Sequence, residues 1–547
     1  MSKTTEIIRR WKKLKADKSE WHNHYDDLAR VFLPRRLGFS TTTTVGERRT
    51  QHLYDSTPMQ AARGLANAIG GMMRPEGLPE VSMLTSNDAL NNSEEVKMWI
   101  ADSEDRLKNG FNNPKARFRQ ASSEKDLDLV VFGNAPMYIG ESKGHLLFQS
   151  IHLKDATPAF NEEGSIDAMF RERKFTLRQA AARFGESKLS KEAQESLSKN
   201  PDGTIDLMHA VLPRNESKMN PLFARDLPIA DLWIEVTTSH VLKEGGFHEF
   251  PFIFPKFDTS SGEDLGRSPA MIALPDGDTL QAMGETILVA GQRAADPPLA
   301  VPNDGSFSAY NTFPGGLVYY DVEAAEAVNG NPFFPIESGM NLPITRDMQR
   351  DSRDQVWNAF YRNILNLPVE GPQMTATEVI QRKEEFIREI GPTFGKLETE
   401  DTAPTVERAF MLMLRAGQLA PIPEALQGQE IKFEYNSPVK KIRQQVDAAA
   451  AKKWAEEIII LAQSKPEVLD LINADALARF SAEASNIPKD IVNSAEVVQQ
   501  LQEQRAEAQA AAAEAEQEQM QMQMLKDGSD AAEKLTRHDQ PEAEAEA

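Results

Sequence analysis

Side chains able to do covalent or metal chemistry are scarce in this chain. There is no cysteine among 547 residues, which removes thiolate nucleophiles, disulfides and every cysteine-ligated zinc or iron–sulfur site. Of the nine histidines, His22 and His24 lie closest together, and a separation of two places them on different faces of a helix, not on the one face a metal ion would need. No G-x-x-x-x-G-K-[ST], no G-x-G-x-x-G after a strand, no H-E-x-x-H and no G-x-S-x-G occurs. The sequence therefore nominates no catalytic, cofactor-binding or metal-ligating residue and carries no signature of an ATP-driven motor. Its 83 Asp and Glu could in principle build a nuclease, since carboxylates alone can hold divalent metals, but they form no telling cluster.

Two segments stand out instead. Residues 297–343 are rich in Pro, Gly and Asn and carry the aromatics Phe307, Tyr310, Phe313, Tyr319 and Tyr320, which offer large contact areas on a loop-rich insert. Leu367, Pro368, Val369, Glu370, Gly371, Pro372, Gln373 and Met374 form a short break in which two prolines and a glycine forbid continuous helix. Its one ionisable side chain is Glu370.

Charge bounds the partners. The formal charge is −22, which argues against a protein that grips nucleic acid by neutralising phosphates, and a DNA handler of this composition must let DNA pass. The charge is uneven. Residues 1–50 hold twelve Lys/Arg against six Asp/Glu, while 494–547 hold four against thirteen, a contrast that suits contacts between subunits or with separate partners. No apolar run approaches the ~18–20 residues of a membrane span, and the basic N-terminus lacks the apolar stretch of a secretory signal.

The elements that must position these segments are mostly helical. One long amphipathic helix is expected over 4–33, from Ile7, Trp11, Leu14, Trp21, Tyr25, Leu28 and Phe32, with Lys18 as the single gap in the apolar stripe. Further helices are expected at 59–73, 93–109 and 116–131. Between 133 and 257 the period shifts toward strands in a mostly antiparallel sheet, with Glu244-Gly245-Gly246 reading as a hairpin turn. Helices follow at 276–293 and 345–366, on either side of the Pro/Gly-rich insert. A long helix from Thr375 to about Ala416 is expected to break at Gly391-Pro392. The end is helical at 439–463, 466–484 and 490–525, the last so rich in Ala, Gln and Glu that only neighbours could hold it. Residues 526–547 read as a disordered acidic tail.

Several segments, in order along nearly the whole chain, resemble the bacteriophage head-to-tail connecting protein family, the portal proteins of short-tailed phages. They are Trp21 to Arg36 (WHNHYDDLARVFLPRR), Tyr54 to Met73 (YDSTPMQAARGLANAIGGMM), Val131 to Gly140 (VFGNAPMYIG) and Gly266 to Pro275 (GRSPAMIALP). Asp296 to Val301 (DPPLAV), Met374 to Glu384 (MTATEVIQRKE) and Tyr435 to Pro438 (YNSP) complete the series. Where relatives tend to carry Arg-Trp after the sheet and Tyr before Gly-Arg-Ser-Pro, this chain has Lys256-Phe257 and Leu265, and an early aromatic is replaced near Glu80-Val81.

The resemblance implies a helix-rich α+β portal fold that assembles into a ring. Its parts would be an N-terminal wing with a mostly antiparallel sheet (1–275), a first stem helix (276–296), a clip (297–344) and a second stem helix (345–366). A tunnel loop (367–374), a long kinked helix with wing return (375–438), a helical crown (439–490) and a C-terminal helix (491–525), which could form a barrel, would follow. It implies a non-enzymatic subunit without cofactor, about twelve copies at one capsid vertex, with the host cytoplasm as the place of assembly. Double-stranded DNA would pass through the channel at the tunnel loop. The clip aromatics would dock the terminase large subunit and then tail adaptor proteins, and major capsid and scaffolding proteins would be further partners. A stem of about twenty residues is ~30 Å long and has little of its own chain to pack on, so adjacent subunits would have to cover it. Another virion assembly protein, an internal ejection or scaffolding component, is the structural alternative, and an acidic-residue nuclease the enzymatic one.

Overall fold

The computed structural model describes residues 3–302, apart from 42–43, 45, 76, 80, 92 and 215–222, then 316–320, 334–335, 342–362 and 388–526. The last stretch lacks 436–437, 464, 485–486, 488–490, 494–496, 499, 511, 513–518 and 525. The chain forms two compact units, residues 1–443 and 444–547.

The first unit opens with two helices, α1 (Lys3–Ala16) and α2 (Ser19–Phe32), where one was expected. The break falls at Asp17-Lys18 because the two apolar stripes enter different cores. Ile7, Ile8 and Trp11 of α1 pack with Phe170, Met208 and Ile234 of the main sheet, whereas Tyr25, Leu28 and Phe32 of α2 join a larger core with α3 (Thr57–Met73). One straight helix could not deliver both faces, and burying Leu28 and Phe32 alone is worth roughly 1.5–3 kcal/mol each. Strand β1 (Val81–Thr85), the short α4 (Asp88–Asn91), α5 (Glu94–Asn112) and α6 (Phe118–Phe132) follow. Every residue of α6 from Lys125 to Phe132 is buried.

Five antiparallel strands make the main sheet in the order β4 (Ala156–Phe160), β5 (Ile166–Thr176), β6 (Thr204–Pro213), β7 (Ile229–Glu235), β8 (Val241–Phe247). Helices α7 (Leu177–Phe184) and α8 (Lys191–Lys199) are inserted between β5 and β6, and Thr176 with Gln179 forms a reciprocal cap at the start of α7. The expected turn at Glu244-Gly245-Gly246 is instead part of β8, paired with Leu232, Asp231 and Ala230 of β7. The hairpin bends earlier, with Ser239 at φ 57°. Glycine at 246 answers a close approach: a Cβ there would lie 2.2 Å from the Ala224 carbonyl oxygen. A smaller sheet joins β3 (His145–Ser150), β2 (Met137–Ser142) and β9 (Phe252–Ile253), and β1 pairs antiparallel with β13 (Ile431–Tyr435) across most of the unit's sequence. Phe257 and Leu265, two of the positions where the chain departs from its resemblance, are buried in the larger core.

Next come α9 (Pro269–Ala295) and α10 (Leu342–Ala359), packed on one another. Sequence reading placed the first of these at 276, after Pro275. The helix starts seven residues earlier because Ser268 caps it, its side chain accepting from Met271 N–H, and Pro269 occupies the first turn, where its missing N–H costs nothing. Pro275 is accommodated inside. The second was expected over 345–366, but it begins at Leu342 and ends at Ala359, where Phe360 turns into the core against Phe32 and Tyr361 takes φ 58°.

Helical structure is described again from 388 and runs through Gly391-Pro392, the expected break, to a wide π turn at Glu398–Thr402 that leads into α11 (Ala403–Arg415). The irregularity lies there because Pro404 can donate no hydrogen bond to the turn before it, and the wider turn absorbs the lost partner. Thr405 Oγ1 donates to the Asp401 carbonyl at 2.6 Å. Helix α12 (Pro438–Ala462) then passes into the second unit. That unit continues with a 3-10 stretch (Pro466–Leu471) and α13 (Ala474–Ala484). Residues 500–510 are helical with every side chain exposed, and Ile459, Ile460, Leu461, Leu471 and Ile491 are exposed as well. No helix among the described residues is long and apolar enough to cross a membrane.

Candidate functional site

The candidate site is the helix pair α9 and α10 with the insert between them. Where sequence reading had only a loop-rich insert, three short strands close its root: β10 (Leu299–Pro302) lies between β11 (Leu317–Tyr320), parallel to it, and β12 (Phe334–Pro335), antiparallel. Neighbouring prolines hid these strands. Tyr319 and Tyr320 stand opposite Val301 and Pro302 in the β10–β11 register. Phe307, Tyr310 and Phe313 lie outside the described residues, as do Leu367, Pro368, Val369, Glu370, Gly371, Pro372, Gln373 and Met374.

The base of the pair is anchored by Asp55, a residue that sequence reading quoted within YDSTP without a role. Gln281 of α9 accepts hydrogen bonds from the Tyr54 and Asp55 N–H groups at 2.7 and 3.0 Å, and its amide donates to the Asp55 carbonyl at 2.8 Å. The Asp55 carboxylate accepts from Thr57 N–H at 2.8 Å, capping α3, and from Arg353 Nε of α10 at 2.9 Å. One carboxylate thus joins α3 to α10, while its own backbone holds α9. Burial pushes the Asp55 carboxyl up, but the hydrogen bonds from Thr57 and the Arg353 guanidinium outweigh it and hold the group below the usual carboxylate range. A depressed carboxylate contributes stability that is full above its unfolded pKa, roughly 4, and fades as pH falls through the lower folded value. Asp55→Ala should therefore cost about 1.5–3 kcal/mol at pH 7 and less below pH ~4. Urea midpoints of both proteins at the two pH values measure it, and an equal deficit at both would contradict the carboxylate's role.

Above this anchor the pair has little cover. Beyond Gln281, α9 buries only Ala290, while Leu288 and Val289 are exposed, as is Met348 on α10. Ile272, near the start of α9, is 74% exposed. These are large apolar side chains in water, on helices whose outer turns, among the described residues, leave them uncovered.

Behind the pair, the end of α3, the centre of α6 and the π turn meet in a charge cluster. Arg74 hydrogen-bonds Asp126 and lies 3.7 Å from Asp401; Lys125 hydrogen-bonds Asp401 and lies 3.8 Å from Asp126. None of the four side chains is more than 7% exposed. Burial pulls the Arg74 guanidinium down, but Asp126 and then Asp401 outweigh it and raise its pKa. Arg36, at the end of the WHNHYDDLARVFLPRR segment, holds buried Asp128 through two bonds of 3.0 and 2.8 Å. Sequence reading missed this cluster, although its signal was present: Lys125, Asp126 and Asp128 interrupt a helix that is otherwise apolar through Leu127-Asp128-Leu129-Val130-Val131-Phe132, and such charges have nowhere to go but a buried partner.

The two histidines first considered do not converge. His22 packs against Phe39 with ring centroids 6.0 Å apart, and His24 lies in the field of Arg267. Among the described residues, no group of three or more His, Asp or Glu could hold a metal ion.

Against known proteins, residues 4–492 match the family model described as bacteriophage head to tail connecting protein. The chain is 27% identical over 536 residues to a protein of Bordetella phage BPP-1 named probable portal protein, covering 97% of this chain and 94% of that one. It is 25% identical over 512 residues to the portal protein of Salmonella phage epsilon15, covering 91% and 90%. Among solved structures, chains from the virion of a native gene transfer agent particle and from the neck of an empty particle align over 76% of this chain at 11% identity. They cover 90% and 91% of those chains, and the TM-score of 0.35 is too low to bear on the fold. A match spanning residues 4–492, from the first helix to beyond α13, makes this chain a member of the bacteriophage head to tail connecting protein family.

Proposed function

We propose that the chain is the portal subunit of a short-tailed bacteriophage, a non-catalytic protein of which about twelve copies form a ring at one capsid vertex, with double-stranded DNA passing in and out through its centre. The observation that carries this reading is the pair α9 and α10, whose outer turns expose Leu288, Val289 and Met348 in a single chain. Covering helices that stand out from their own core requires neighbours, and a head-to-tail contact that closes by rotation supplies the same neighbour to every copy. The net charge of −22 fits a channel that must not hold its cargo, since each Lys or Arg held on a phosphate would resist sliding. Mass photometry of the purified chain across a range of salt should find a closed oligomer near twelve copies, favoured as salt screens the self-repulsion of acidic subunits. A monomer at every salt concentration would overturn the reading.

In this assignment the insert between the stem helices is the clip, where the terminase large subunit binds during packaging and tail adaptor proteins afterwards. Replacing Tyr310 and Phe313 together with alanine should leave rings intact and weaken binding of either partner by about tenfold or more, as expected for aromatic interface anchors. Pull-down of both partners on variant rings measures it, and unchanged binding of both would move the docking surface elsewhere.

A further inference from the structure

A cavity of about 900 Å³ lies between α1, α2, the segment 35–49 and strands β5 and β6 of the main sheet, and no residue of α9 or α10 lines it. Six Lys or Arg side chains reach its wall against three carboxylates, an excess of positive charge in a chain of net charge −22. Two of those carboxylates already have cations: Glu172 holds Lys15 at 2.5 Å, and Asp206 faces Lys174 at 3.9 Å. Among the described residues, Arg35, Arg49, Lys154 and Arg173 have no carboxylate within ion-pair distance. Arg49 gives its donors to the backbone carbonyls of Arg35 and Leu37 at 2.9 and 3.0 Å, and Lys154 donates to the Gly38 carbonyl. The charges of Arg49 and Lys154 are thus held in place by carbonyls, while the third carboxylate, Asp155, feels Lys154 and Arg173 without pairing directly with either.

Two imidazoles in the wall feel the same field. Burial lowers the pKa of His22, and Lys18 and Lys15 lower it further; burial and then Arg36 bring His152 down to about 4. Both are neutral at pH 7, so the positive charge of the cavity belongs to guanidinium and ammonium groups alone. These groups come from different elements, Arg35 and Arg49 from the segment after α2 and Arg173 from β5. A tetrahedral oxyanion can accept hydrogen bonds on several sides at once, whereas a planar carboxylate is best served by one fork in its own plane.

We propose that this cavity is a binding site for a phosphate group, carried either by a free phosphate compound or by a nucleic-acid backbone. It gives a role to Lys15, Arg35 and Arg49 of the basic N-terminal segment, which the channel assignment does not use, and it stands whether or not the chain forms a ring.

Calorimetric titration of the full chain in about 50 mM NaCl with sodium pyrophosphate, and separately with a short DNA duplex, tests it. At least one probe should bind, and Arg35→Gln together with Arg173→Gln should weaken that binding about tenfold or more, while Arg178→Gln, an exposed arginine outside the cavity, should leave it unchanged. Thermal melting checks that the double variant is folded, and Arg35→Gln alone decides the matter if it is not. Binding of pyrophosphate identifies a free phosphate ligand, and binding of the duplex alone identifies the nucleic-acid backbone; both support the site. No binding of either probe, binding that ignores the arginine substitutions, or a glutamate-rich peptide that binds more tightly than both would overturn it.

Discussion

Replacing Asp401 with alanine should lower the unfolding free energy of the 1–443 unit by about 3–5 kcal/mol, the largest single-residue effect expected here. The π turn places this carboxylate against Lys125 and Arg74, and without it two buried cations face Asp126 alone. A buried ion pair adds modest net stability when complete, because desolvation offsets most of the attraction, but removing one partner leaves a charge in the core with no counterion. Asp401→Asn keeps the shape and one acceptor and should cost less. Because Asp401 also ties the start of α11 to α3 and α6, protection of amides 405–415 against hydrogen exchange should fall together with global stability. Denaturant unfolding of both variants checks the magnitude; a loss below about 1 kcal/mol for the alanine would mean the cluster is hydrated and carries no weight.

The second large effect concerns DNA. Deleting Leu367–Met374 should leave oligomers intact and abolish packaging or retention of DNA, if this segment is the tunnel loop of the proposed portal. Glu370→Lys is the subtler form of the same experiment. A carboxylate repels phosphates and keeps a duplex from adhering, whereas a lysine repeated around a ring makes a circle of phosphate contacts whose strength falls steeply with salt. The lysine variant should therefore package more slowly than the parent at low salt and approach it as salt rises. Packaging assays on both variants decide the matter, and full genomes packaged at the parental rate by both would place the loop away from DNA.

How much of this was legible in the sequence follows from where the information is local. The antiparallel sheet, the central α6 and the two helices flanking a Pro/Gly-rich insert could be read because period and breakers are local signals. Asp17-Lys18 was read as a gap in one helix because periodicity records an apolar stripe and not which core receives it. Gly245-Gly246 read as a turn because a glycine pair is the usual hairpin signal; its actual cause, the Ala224 carbonyl pressed against β8, comes from elsewhere in the fold. Pro275 read as a boundary although Ser268-Pro269, a better start signal, lay seven residues upstream. Similarly, Gly391-Pro392 drew the break away from Pro404, where the π turn has it.

At the candidate site, composition singled out the aromatics of the insert and the break at 367–374, but not what anchors the helix pair. Asp55 meets Gln281 and Arg353 across separations of 226 and 298 residues, and Lys125 meets Asp401 across 276. Pairings at that range leave no spacing to read. What they do leave is an oddity of type, a charge inside an apolar helix or an aspartate before a Ser-Thr-Pro helix start, and both oddities were visible.

The central claim is that copies of this chain enclose a channel. Electron micrographs of the purified full-length protein in negative stain test it most directly, without partners, DNA or activity. The account predicts face-on averages showing a closed ring of about twelve subunits around an open centre, and side views in which the stem and clip project from a wider body. Compact single-chain particles, or closed assemblies without a central opening, would contradict it.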